Sequence, residues 1–199
     1  MAQQELQRCN WVGSDPIYQA YHDEEWGVPE RVSRALWEKL VLDGFQAGLS
    51  WITILKKREN FRNAFNGFDP HVIARWGEAE VQALLGDPGI IRHRGKIEAT
   101  IGNARAWMEI EAREGFDQFL WRYVDGVALQ PRFATQAEVP PSTPLSEQVS
   151  KDLRKAGFRF VGPTIVYAFM EAVGMVNDHV LHCPCHAPVA ALADASPFA

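Results

Sequence analysis

No stretch of the chain is apolar for long enough to cross a bilayer. The longest apolar run, Val161 to Val176, contains Glu171 and falls short of the ~20 residues a spanning helix needs, so no membrane span is expected. The opening residues, MAQQELQR, hold no apolar core of the kind a secretory signal carries, and the expected location is the cytoplasm. Cysteine is scarce, three in 199 residues; in a reducing compartment that is poor material for a disulfide framework and favours metal binding or plain packing. Positive charge is not in excess. The net charge of −5 gives no support to indiscriminate coating of nucleic acid, yet it leaves room for a local basic face. Three basic clusters exist: KKREN with Arg62 just after it, RHRGK at Arg92 to Lys96, and KDLRKAGFR at Lys151 to Arg159. Each also reads as a solvated helix face.

Also missing are internal repeats and alternating apolar and polar runs separated by hairpin turns, which removes the β classes from consideration. Helical spacing fills nearly every segment, and the chain is read as all-α. Asp15-Pro16 and Asp69-Pro70 each look like an N-cap followed by proline at the first helical position. A longer helix is expected from about Gly95 toward Arg113, with Ile97, Ile101, Ala104 and Met108 on one stripe. Gly126 to Pro144, with four prolines, reads as a surface connection. An apolar fraction of 47% with 23% charged residues is ordinary for a globular protein. One domain over residues 1–199 is expected, ordered from about 9 to 186 in two helical lobes with a pocket between them. The Ala-rich residues 187–199 are expected to form a loose tail.

The most concentrated chemistry is HVLHCPCH, residues 179–186, with three His and two Cys in eight residues. Zinc takes four N or S donors in a closed structural site. His179 and Cys183 are four apart, so one helical turn would present both to one side; Cys9 and His22 near the other end complete Cys2His2. Spacing leaves alternatives, because His182, Cys185 and His186 could serve as well and Cys is often just a small buried hydrophobe.

Trp11, Tyr18, Tyr21, Trp26, Trp37 and Trp51 place six of the eleven Trp and Tyr in the first 51 residues, against one of eleven Phe. Flat rings with a polar handle suit a wall that stacks on a ligand and meets water. Tyr18, Tyr21 and His22 fall at i, i+3, i+4. In ALWEKLVLDGF, Leu36, Leu40 and Asp43 fall at i, i+4, i+7, putting a carboxylate on an apolar stripe, where it is costly without a partner. It is either an acceptor for a bound base or, with Gln46 three later, a capping box opening the QAGLSWITILKKR helix. Downstream, KDLRKAGFRFVGPTIVYAFMEAVG reads as a helix stopped by Gly157, a short hairpin FRFV, and a second helix opened by Gly162-Pro163-Thr164. Such a start aims N–H groups at an anion, and Lys151, Arg154, Lys155 and Arg159 surround it; a phosphate backbone would fit.

The segments CNWVGSDPIYQAYHDEEWGVP, DGFQAGLSWITILKKRENFR, GIIRHRGKI and FRFVGPTIVYAFMEAVGMVNDHVLHC closely resemble the 3-methyladenine DNA glycosylase I family, in order from about Cys9 to Cys183. The resemblance implies an all-α helix-hairpin-helix glycosylase that binds duplex DNA at the hairpin, flips an alkylated base into a cleft and hydrolyses its N-glycosidic bond, leaving an abasic site. It implies one structural Zn²⁺ on Cys9, His22, His179 and Cys183, joining the two ends of the chain. It further implies a base pocket of Trp11, Tyr18, Tyr21, Trp26 and Trp51 with Asp43 as specificity carboxylate; the basic residues and the helix start at the hairpin make Lys151, Arg154, Lys155, Arg159, Gly162 and Thr164 the expected DNA contacts. A monomer acting on alkylated double-stranded DNA is expected. The chain departs from the family pattern at Asp43, where Glu is usual, and at Phe45, often Gln; Asn177 stands where the wider superfamily often has a catalytic Asp, with Asp178 one further on. These departures motivate a rival reading as a non-catalytic or altered-specificity damaged-base binder. A second rival, a zinc hydrolase, is suggested by the metal cluster near Asp23 to Glu25.

Overall fold

A computed structural model describes residues 7–193. Eleven α-helices are found among them: α1 (Pro16–Glu24), α2 (Ser33–Gln46), α3 (Trp51–Leu55), α4 (Arg58–Ala64), α5 (Pro70–Ile73), α6 (Glu78–Gly86), α7 (Arg94–Glu114), α8 (Phe116–Trp121), α9 (Pro144–Lys155), α10 (Pro163–Ala172) and α11 (His186–Leu192). The all-α reading holds. Among the described residues the only strand-like pairing is an isolated bridge between Leu129 and Val176. No helix among them is long and apolar enough to cross a membrane.

The helix starts follow local chemistry. Asp15 accepts from Ile17 N at 3.1 Å, and Asp69 from His71 N at 2.9 Å, each with proline next in the helix, so the free N–H groups of the first turn are partly satisfied. Thr143 and Ser146 form a reciprocal box at the start of α9. Asp43 is not such a cap: it lies inside α2, and the next helix opens only at Trp51. Its place is set by the stripe, since Leu36, Leu40 and Asp43 are all at most 2% exposed.

α2 is the central element, packed against α3, α7, α8 and α10, while α5 and α6 lie on α7 and α9 on α10. Phenylalanines fill the core on either side: Phe45, Phe61, Phe65 and Phe68 in one cluster, and Phe116, Phe119 and Phe158 in another. Trp37 joins the core rather than the pocket, fully buried and donating its Nε1–H to Phe68 O. Lys96, from the RHRGK cluster, is buried as well; its ammonium donates to the carbonyls of Phe45 and Ala47 at 2.8 and 2.7 Å, neutralising the carbonyl end of α2. That cluster is therefore not a uniformly solvated face.

The tail expected to be loose from residue 187 instead begins with α11, held by burial of Val189 and Ala193 and by Asn177 Nδ2, which donates to His186 O at 3.1 Å. The expected loose residues 194–199 lie outside the described ones. The connection at 126–144 is anchored rather than merely superficial: Leu129 exchanges hydrogen bonds with Met175 and Asn177, and a short helical turn spans Gln136–Glu138.

Gly174 ends α10 at φ +70°, and a Cβ there would lie 2.5 Å from Pro29 N and Val28 C. The main chain leaving Trp26 passes against this glycine, and Glu30 N donates to Val173 O. Gly174→Ala is expected to cost about 2–4 kcal/mol, from the left-handed conformation and the backbone clash together. Urea unfolding measures this; a loss below about 1 kcal/mol would mean the two segments separate at little cost.

Candidate functional site

The two ends of the chain meet at four donors. Cys9 comes from the segment before α1, His22 from the last turn of α1, and His179 and Cys183 from the segment after α10. All four are buried, with one ligand atom of each within 4.8 Å of the others. Cys183 Sγ is 3.5 Å from His22 Nε2 and from His179 Nδ1, and Cys9 Sγ is 3.7 Å from His179 Nδ1. Edges of about 3.5 Å are what a tetrahedral ion with bonds of about 2.0–2.3 Å would span. The expected helical turn between His179 and Cys183 is absent; the chain at His179 has no regular secondary structure and then turns, with Cys183 N donating to Val180 O.

Both imidazoles are oriented from behind. His22 Nδ1 bonds Asp23 at 2.8 Å, and Asp23 is gripped by Arg8; His179 Nε2 donates to Trp26 O at 3.0 Å. Each ring thus spends its outer N–H on an oxygen and turns its other nitrogen inward, the arrangement that fixes tautomer and direction at metal sites. Hydrogen bonds from Cys9, His179 and His22 hold the Cys183 thiol well below its ordinary value, toward the thiolate that ligates metals. The cluster can hold a metal ion, and its donor set fits one. His182 is exposed; Cys185 stays at the rim, 3.9 Å from the outward nitrogen of His22.

The cluster is wrapped by the rings of the second site. Trp11 lies 5.3 Å from His22 and 5.0 Å from Trp26, and Trp26 lies 4.5 Å from His179, ring centre to ring centre. Trp11, Tyr18, Tyr21, Trp26, Asp43 and Trp51 all line one cavity of about 180 Å³. The helical spacing accounts for part of this: Tyr18 and Tyr21 share a face of α1, and Tyr21 packs 5.4 Å from Trp51. At the floor, Asp43 Oδ2 and Trp51 Nε1 are buried and have no protein partner. An unpaired buried acceptor and donor in a cavity are where a ligand gains most.

Four further polar residues line the cavity that the sequence did not assign to it, Lys39, Gln46, Gln136 and Glu171, together with Ala168 and Ala172. Lys39 precedes Asp43 by one helical turn and bonds its Oδ1, a pairing that i,i+4 spacing could have revealed. Glu171 was visible as the lone carboxylate of an apolar run. Burial, with the nearby Asp178 carboxylate, pushes it well above the usual range. Gln136 carried no signal, since only the path of a connecting segment brings it here.

Asn177 is fully buried, and its side chain donates to Gln130 Oε1 and His186 O; it joins three segments. Asp178 accepts from Tyr167 Oη at 2.7 Å. Neither lines the cavity.

Lys151, Arg154, Lys155, Arg159 and Thr164 are exposed along α9, its connection and the first turn of α10, with Gly162 half-buried at the N-cap. The connection is rigidly seated. Asn103 of α7 donates to Arg159 O and accepts from Arg159 N, and Ser150 Oγ donates to Val161 O. A Cβ on Gly44 would lie 3.3 Å from Phe160 O, so the connection rests on α2 one residue beyond Asp43.

The sequence profile described as Methyladenine glycosylase matches residues 11–186. The DNA-3-methyladenine glycosylase 1 of Escherichia coli (strain K12) is 53% identical over 182 residues, 91% of this chain and 97% of that protein. A crystal structure of 3-methyladenine DNA glycosylase I superposes with a TM-score of 0.89 at 56% identity, covering 90% of this chain and 100% of that one. A variant of 3-methyladenine DNA glycosylase I solved in complex with 3-methyladenine superposes at 0.86 and 38% identity, covering 88% of this chain and 95% of that one. With a match over residues 11–186 that takes in the cavity residues and the connection between α9 and α10, the chain belongs to the methyladenine glycosylase family.

Proposed function

We propose that the protein is a monofunctional DNA glycosylase that hydrolyses the bond between deoxyribose and N3-methyladenine in alkylated DNA. The observation that carries this is the set of unpartnered polar atoms on residues of the lining, Asp43 Oδ2, Trp51 Nε1 and Gln136 Oε1, in a cavity walled by Trp and Tyr. Methylation at N3 gives the base a positive charge. Electron-rich rings favour such a cation by about 0.5–2 kcal/mol each, and Asp43 Oδ2 can accept a base N–H in a charge-assisted hydrogen bond. The weak pairing of a damaged base lowers the cost of extruding it from the helix.

The reaction needs little from the protein beyond this. As the C1′–N9 bond breaks, its electron pair passes to the cationic ring, which departs as neutral 3-methyladenine. Water adds to C1′ and loses a proton, leaving an abasic site. The carboxylate of Asp43 lowers the energy of the positive charge that passes from base to sugar.

The metal in this reading is zinc, and its role is structural: four protein donors leave no open position for water, which speaks against a zinc hydrolase. When bound it supplies cross-linking alone. Duplex DNA is held at the α9–α10 connection, read as a helix-hairpin-helix, where exposed Lys151, Arg154, Lys155 and Arg159 flank the N-terminus of the ten-residue α10. Phosphate contacts there would position the duplex.

Release of free bases from methylated DNA, resolved by chromatography, tests the activity. Wild type is expected to release 3-methyladenine, with Asp43→Asn lowering kcat/KM about 10- to 100-fold while DNA affinity changes less than about threefold; binding without release would favour the damage-binding reading. Cys9→Ser and His179→Ala are expected to lose zinc, measured by atomic emission, and about 3 kcal/mol of stability, or about 10 °C in Tm for a chain of this size. Unchanged zinc and Tm would refute the clamp. Arg159→Ala should reduce the slope of log affinity against log salt by about one, whereas an unchanged slope would remove the hairpin from the interface.

A further inference from the structure

Asp43 is 2% exposed, and a carboxyl group so placed tends to keep its proton rather than hold a charge away from water. Burial pushes it upward accordingly. Yet the base-reading role needs an acceptor, and a cationic ring is best met by a carboxylate. The counter-ion that resolves this is Lys39. Its ammonium bonds Asp43 Oδ1 and lies 3.9 Å from the centre of the Trp51 ring, so a carboxylate and an aromatic face fix it together. The two side chains are 17% and 1% exposed. At such burial, unlike in a surface pair, loss of one partner strands the other as an uncompensated charge.

The division of the carboxylate follows from the same contact. Oδ1 is occupied by the ammonium, and Oδ2 is the atom without a partner. No neighbour can take over the task. The other charged or titratable groups facing the pair are Tyr21 from α1, Arg58 from α4 and Glu171 from α10. Tyr21 and Glu171 never carry positive charge. The Arg58 guanidinium is committed to both oxygens of Glu25, at 2.5 and 2.9 Å, and lines a separate cavity of about 300 Å³, where Glu38 and Arg62 also stand. Lys39 and Trp51 form part of the wall between the two spaces, since both line each of them.

We propose that Lys39 is a positioning residue for base recognition: its ammonium, clamped between Asp43 and the Trp51 face, holds Asp43 as a carboxylate with one free oxygen for the base. This rests on Asp43 being the group that reads the base. Removing the ammonium takes away the contact that favours the ionised form, so Asp43 should protonate at higher pH. Excision that depends on the carboxylate should then fail earlier as pH falls.

The test measures kcat/KM for release of 3-methyladenine from methylated duplex DNA between about pH 5 and about pH 9, with wild type, Lys39→Met, Lys39→Gln, Lys39→Arg and Asp43→Asn. Lys39→Met is expected to move the acidic limb upward by about one pH unit or more, the size of a lost opposite charge at contact distance. Lys39→Gln keeps an N–H donor without the charge; it should shift the limb likewise, and it serves where the Met variant fails to fold. Lys39→Arg should return the limb toward wild type. Profiles for Met and Gln that superimpose on wild type, or an Arg variant as shifted as Met, would overturn the role of Lys39 while leaving Asp43 in place. Wild-type release by Asp43→Asn would overturn the reading of Asp43, and this inference with it.

Discussion

The meeting of Cys9 and His22 with His179 and Cys183 is the constraint on which the rest hangs. Closing a loop between residues 170 apart in sequence is an entropic demand that grows only slowly with length, but it must be met by contacts at a single point. Those contacts are the same ones that build the pocket. Trp26 supplies its carbonyl to His179 and its ring to the cavity wall; Trp11 leans on His22 and also faces the cavity. Gly27 adds a steric condition, since a Cβ there would sit 3.2 Å from the His179 ring and 3.4 Å from Val189. Trp11 and Trp26 therefore tie the cavity to the cluster: the geometry of that side of the cavity is the geometry of the four donors.

The other side depends on α2. Asp43 reaches the cavity only because it shares a stripe with Leu36 and Leu40, whose burial fixes the rotation of the helix. Lys96 holds the carbonyl end, and Gly44 lets the α9–α10 connection approach closely. The carboxylate and the basic connection are thus one residue apart along a rigid helix, which couples where a duplex would rest to where an extruded base would sit. That coupling is carried by packing, and a polar group on an apolar stripe is the cost that function adds to it.

Much of this was legible because it is local. Proline after Asp15 and Asp69, the α2 stripe, the glycine stop at Gly157 and the enrichment of Trp and Tyr near the N-terminus each follow from one or two turns of chain. The ring types are segregated in the fold: apart from Trp37, the early Trp and Tyr line the cavity, while most Phe lie in the core. The Cys2His2 set was named on resemblance, since spacing left His182, Cys185 and His186 open, and the fold gathers those four donors. What stayed hidden depends on tertiary contact. Gln136 enters the pocket from a proline-rich connection, residues 186–192 become helical because Val189 finds a surface to bury against, and His179 with Cys183 converge through a turn where spacing suggested a helix. Asp43 was ambiguous between cap and stripe, and burial decided it.

The departures at Asp43 and Asn177 read differently once their neighbours are known. An Asp on α2 keeps its carboxylate one methylene closer to the helix, where it is paired with Lys39 one turn back. Asn177, at the position where the wider superfamily often has a catalytic Asp, spends its side-chain N–H groups on joining the 126–144 connection to α11, and Asp178 is tied to Tyr167. Neither lines the cavity, so neither is placed to act as the acid that a neutral leaving base would require. Under the proposed reading, the charge on the methylated ring substitutes for that acid. A pocket that stabilises a cation discriminates by the chemistry of the lesion itself, because the charge on the methylated ring both draws it to the electron-rich walls and weakens the bond that must break. Under that reading, selectivity for cationic bases arises from the rings and the carboxylate that line the site.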